Sequence, residues 1–86
     1  MYCNINELEK DLEKYDIKLL YFIRNKFFPE YVHIKIYDMR KNTEKLMRFH
    51  FGFNSGQYTN AIVYEQRKEF IKWNYIRYKK TRLSAQ

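Results

Sequence analysis

His33 and His50 are the only histidines among 86 residues, and each lies in a stretch where cations and aromatic rings recur at every second position. Tyr31, His33, Lys35 and Tyr37 form one such set, and Leu46, Arg48 and His50 form another. Exposed rings interleaved with cations suit single-stranded nucleic acid. Bases stack on the rings, at about 1–3 kcal/mol per base, while the cations hold phosphates. Two imidazoles flanked by Lys35 and Arg48 have a second use. They could serve as general base and general acid on an RNA phosphodiester, the cations stabilising the developing charge. Further along, Arg67, Lys68, Lys72, Lys79 and Arg82 make a basic stripe, with Arg77 and Lys80 nearby. If about five of these touch phosphates, binding falls with salt at a log–log slope near −4.

The elements that must position these residues can be read from periodicity. Residues 31–53 mirror themselves about Lys41–Asn42. Val32 then faces Phe51, Ile34 faces Phe49 and Ile36 faces Met47. On the other face His33 meets His50 and Lys35 meets Arg48, with Asp38 opposite Lys45 at the loop end. One register sorts an apolar face from a basic one, and a one-residue slip would exchange them. An antiparallel hairpin is expected, Tyr31–Asp38 and Lys45–Phe53, joined around Arg40–Thr43.

Ahead of it, Asn4 and Glu7 read as a helix cap. Ile5, Leu8, Leu12, Tyr15, Leu19 and Phe22 recur at spacings of three and four, which predicts an amphipathic helix ending before Pro29. Asp16 is a candidate break in it. After the hairpin, Asn54-Ser55-Gly56 signals a turn, with Gly56 suited to positive φ. A third strand is expected over about 57–64, with a last helix from about Glu65 to Arg82. One long helix from Thr59 is one alternative, and alternation of Ile71, Trp73 and Tyr75 along a strand is another.

These elements make a single α+β domain over residues 1–86. It is a two-layer sandwich in the order α-β-β-β-α, with both helices on one face of the sheet and the basic face open. That order is similar to the double-stranded RNA-binding domain. The likeness is one of element order. That family opens its last helix with a Gly-rich turn and a Lys-Lys-x-Ala-Lys run, where this chain has Glu65-Gln66-Arg67-Lys68-Glu69. The loop Arg40-Lys41-Asn42-Thr43 also lacks that family's His.

Net charge is +7, and the second half carries nearly all of it: +1 over residues 1–43 and +6 over 44–86. A basic half implies an acidic partner: nucleic acid, an acidic protein surface or an anionic membrane. One cysteine, Cys3, excludes an internal disulfide. The start of the chain is polar and its apolar runs are short, so neither a signal peptide nor a membrane span is expected and the cytoplasm is the expected location. No nucleotide loop, paired-cysteine motif or Ser–His–Asp set occurs, so no cofactor or metal is expected. Heavy use of Lys, Asn, Ile, Tyr and Phe points to an AT-rich genome, such as a low-GC bacterium or its phage. The expected function is RNA-favouring nucleic-acid binding without catalysis. The alternatives are a phage or mobile-element inhibitor of a host defence or nucleic-acid-handling protein, and a metal-independent ribonuclease using His33 and His50. The heptad-like first helix leaves a homodimer open.

Overall fold

A computed structural model describes residues 3–68. The order is helix, three strands, helix: α1 (Ile5–Glu13), β1 (Ile17–Arg24), β2 (Tyr31–Asp38), β3 (Thr43–His50) and α2 (Ser55–Arg67). The strands form one antiparallel sheet in the order β1-β2-β3. This is the α+β class and element order that the sequence predicts, although two of the elements come from different segments.

The first difference is the opening helix. It does not run on towards Pro29 but ends at Glu13, and Asp16 takes a left-handed conformation (φ 60°) that turns the chain into β1. A β-bulge between Leu19 and Tyr21 explains the helix-like spacing beyond that point. The extra residue changes the spacing of inward positions from two to three. Ile17, Leu19 and Phe22 therefore all reach the core, while Leu20 is left exposed.

The second difference is the segment 57–64, which is helical and not a strand. Asn54 caps α2, accepting from the Gln57 backbone N–H (2.8 Å), and the Gln57 side chain accepts from the Asn54 N–H (2.9 Å). This reciprocal pair satisfies two donors that a helix start leaves free. Gly56 accordingly lies in the first turn of α2, and of the two glycines it is Gly52 that has positive φ, at 111°. The missing strand is supplied by β1.

The third difference is register. Val32 pairs with Phe49, Ile34 with Met47 and Ile36 with Lys45, two residues from the expected mirror. A slide of two keeps every side chain on its face, so the division into an apolar and a basic face stands. Asp38 sets the turn, its carboxylate accepting from the backbone N–H groups of Arg40 (3.0 Å) and Lys41 (3.2 Å).

The core lies between the sheet and the two helices. Leu8 and Leu12 of α1, Ile17 and Leu19 of β1, Val32, Ile34 and Ile36 of β2, and Ile62 of α2 are buried there. Tyr58 stands at one end, its ring edge-on to Phe22 and Phe49 at centroid distances of 5.4 and 5.9 Å. Its hydroxyl donates to the His50 carbonyl (2.8 Å). Burial pushes this phenol up to about 12. The expected last helix reaches beyond Lys68, and that part, with Lys72, Lys79 and Arg82, lies outside the described residues.

Candidate nucleic-acid interface

Among the described residues, helices lie on one face of the sheet only. On the other, β2 presents Tyr31, His33, Lys35 and Tyr37, all half-buried and alternating with buried Val32, Ile34, Ile36 and Asp38. β3 places Leu46, Arg48 and His50 beside them, opposite Lys35, His33 and Tyr31 respectively. The structure thus brings six expected site residues, Tyr31, His33, Lys35, Tyr37, Arg48 and His50, onto one surface.

Their contacts grade along the strand. The Arg48 guanidinium lies over the Tyr31 ring, 4.7 Å from its centroid, and the His50 ring stands edge-on to the same ring at 4.9 Å. Lys35 pairs with Glu44 at 3.1 Å, and the Tyr37 hydroxyl donates to Asn42. Of the β2 and β3 cations on this face, Arg48 is the one that stacks on a ring, with its planar guanidinium suited to phosphate or base.

The two histidines are not cross-strand partners. His33 pairs with Arg48 and His50 with Tyr31, so the imidazole pair expected from the mirror register is not formed. His33 has a further commitment. Asn25 turns its carbonyl oxygen to the N–H groups of Phe27 and Phe28 (both 2.9 Å), so its NH2 faces His33 Nε2 at 3.0 Å. That nitrogen then accepts, and a neutral His33 carries its proton on Nδ1. An imidazole tied at Nε2 and separated from its counterpart is poorly placed as half of an acid–base pair.

Arg67, expected among the phosphate contacts, is turned inward. Its two terminal nitrogens donate to both carboxylate oxygens of Asp38 (2.5 and 3.0 Å), and one also donates to the Tyr15 carbonyl (2.6 Å). Its side chain is 8% exposed and that of Asp38 0%. Burial alone would raise the Asp38 carboxyl. The hydrogen bonds from Arg67, Gln66 and the Lys41 backbone outweigh it and hold that group well below the usual carboxylate range. Lys68 is exposed at the end of α2, 3.8 Å from Glu65 and 5.8 Å from the Tyr64 ring centroid. It belongs to the helical layer and not to the open face.

Two parts of this surface escaped the sequence. β1 adds Lys18, Tyr21 and Ile23, paired with Tyr37, Lys35 and His33. They were hidden because residues 17–24 were expected to be helical; the β-branched and aromatic density of Ile17–Ile23 was the available signal. The β1–β2 loop adds Phe27 and Phe28, 88% and 60% exposed. Cys3 is buried, its thiol pushed up to about 11 by burial and by Glu7, so it is protonated at neutral pH and a poor nucleophile.

Among the described residues no cluster of His, Cys, Asp and Glu could hold a metal ion, and no helix is long and apolar enough to cross a membrane. No family model, curated protein or solved structure matches the chain.

Proposed function

We propose that this protein binds nucleic acid, RNA in preference to DNA, and that it acts by binding and not by catalysis. The observation that carries this is the Arg48–Tyr31–His50 cluster on the face that neither α1 nor α2 covers. An aromatic ring with a guanidinium on one side and further cations along the same strand offers both surfaces that an unpaired nucleotide presents, a π face and a phosphate. RNA is favoured because proteins usually read it through unstacked bases in loops and single strands.

The test is fluorescence anisotropy with labelled single-stranded and duplex RNA and DNA, over about 50 to 300 mM salt, where phosphate contacts dominate the salt response. A gel on the same samples reports cleavage. Micromolar or tighter binding that weakens steeply with salt, without shortened product, is expected. Arg48→Glu should lower affinity about tenfold or more, since it removes one phosphate contact and adds a repulsive charge. Absence of binding at the lowest salt overturns the assignment, and shortened product overturns the non-catalytic part of it.

A protein partner is the second candidate, in the manner of a phage-encoded inhibitor of a host defence or nucleic-acid-handling protein. It is favoured by Ile23 and Leu46, which are 53% and 55% exposed on the same sheet face. Apolar anchors dominate such interfaces. In that case Leu46→Asp, and not Arg48→Glu, should have the larger effect on partner capture.

A further inference from the structure

The loop joining β1 to β2 is ordered by its own hydrogen bonds, yet it exposes the two most apolar side chains it has. Asn25 Oδ1 receives the N–H groups of both Phe27 and Phe28, and the Tyr31 N–H donates to the Phe28 carbonyl at 2.9 Å. The Asn25 N–H donates to the Tyr31 carbonyl (3.0 Å), and Arg24 Nε donates to the Pro29 carbonyl (2.6 Å). Among the described residues the aromatic pairs join Phe22, Phe49 and Phe53 to Tyr58 and Tyr31 to His50, and neither Phe27 nor Phe28 enters one. The rings are presented by a preset backbone, so little ordering cost remains when something binds them.

Two links join this loop to the open face. Asn25 holds both the loop N–H groups and His33 Nε2. Tyr31 closes the loop with its backbone while its ring carries Arg48. The loop thus adjoins the Tyr31 end of that surface, with Lys26 next to Phe27 in the chain.

We propose that the Asn25–Glu30 loop is the base-stacking end of this surface and that its ligand is an unpaired strand and not a duplex. The proposal rests on the nucleic-acid reading above. Duplex bases already have both faces stacked, whereas an unpaired base has a face free for a protruding ring. The cations around the loop suit the phosphates on either side of that base.

The experiment compares wild type with a Phe27→Ala/Phe28→Ala double variant, using labelled single-stranded RNA of about 12 nucleotides, within the span such surfaces usually cover, and the matching duplex. A second probe carries 2-aminopurine, whose emission is quenched on stacking. Both rings are exposed, so the fold should survive, and circular dichroism checks that it does. Wild type is expected to prefer the single strand. The double variant should bind it about tenfold or more weakly, as loss of one or two stacked bases implies, with the salt slope unchanged and the quenching lost. Asn25→Ala, which keeps the rings but releases the loop, should lose less. Equal binding by wild type and double variant would overturn the loop proposal while leaving the nucleic-acid reading intact, as would a preference for duplex. A defect confined to phosphatidylserine vesicles would overturn it in favour of a lipid surface. Failure of wild type to bind either RNA at about 50 mM salt defeats the functional reading itself.

Discussion

At the scale of single residues, Asp38 joins more of the molecule than any side chain of the open face. Its two oxygens accept from the Arg40 and Lys41 backbone, from Gln66 at 2.9 Å and from both terminal nitrogens of Arg67. One carboxylate thereby fixes the β2–β3 turn and the last turn of α2. Asp38→Asn keeps the shape but leaves Arg67 as a buried charge without its counter-ion. Breaking such a pair costs about 3–5 kcal/mol, against a total of roughly 4–13 kcal/mol for a domain of this size. Chemical denaturation should show a midpoint far below wild type, or no folded baseline. The pH dependence has a fixed sign. The folded carboxyl titrates below its unfolded value of about 3.9, so the unfolded chain binds the proton first as pH falls. The stabilisation from Asp38 is therefore complete at neutral pH. It starts to decline near the unfolded value and is lost as pH falls through the depressed folded one. Urea titrations between neutral pH and about pH 3 should show that loss in wild type, with a flatter profile in Asp38→Asn.

At the scale of elements, the hairpin's two faces were legible because alternation survives a slide of two residues. Its register was not, because it depends on side chains that pattern cannot see: the Asp38 carboxylate on the turn and Asn42 taking positive φ (55°). β1 was misread because its bulge converts strand spacing into helix spacing at Leu19 and Phe22. Segment 57–64 was misread because Asn54-Ser55-Gly56 reads as turn chemistry, although Asn54 together with Gln57 makes a helix cap. Asn54→Ala tests that assignment. Losing the cap should cost about 1 kcal/mol, seen as a melting temperature lowered by several degrees, roughly 4–8 °C for a domain this small. Within the candidate site, the residues on β2 and β3 were readable. Arg67 was misassigned because nothing in its local sequence announces a partner as distant in the chain as Asp38.

At the scale of the whole molecule, charge and shape are divided between the two layers. α1 holds the acidic residues Glu7, Glu9, Asp11 and Glu13 against Lys10, whereas the open sheet face holds Lys18, Lys35 and Arg48 against Glu44. That division favours approach of a polyanion from the sheet side. If about four phosphates are neutralised on an unpaired strand, the log–log salt slope should be about −3. Anisotropy across the salt series measures it, and a slope near zero would show that the cations of this face do not meet phosphate. The pairing also determines how the gene can change length. Residues added between Met39 and Asn42 lengthen only a turn and leave both faces where they are. A single residue inserted inside β3, between Leu46 and Met47, would turn every later side chain of that strand over, sending Phe49 outward and Arg48 into the core. Among natural or engineered variants of this chain, insertions and deletions should therefore gather at the turn and within the strands occur in pairs, a bias that a library of single-codon insertions selected for folding would reveal.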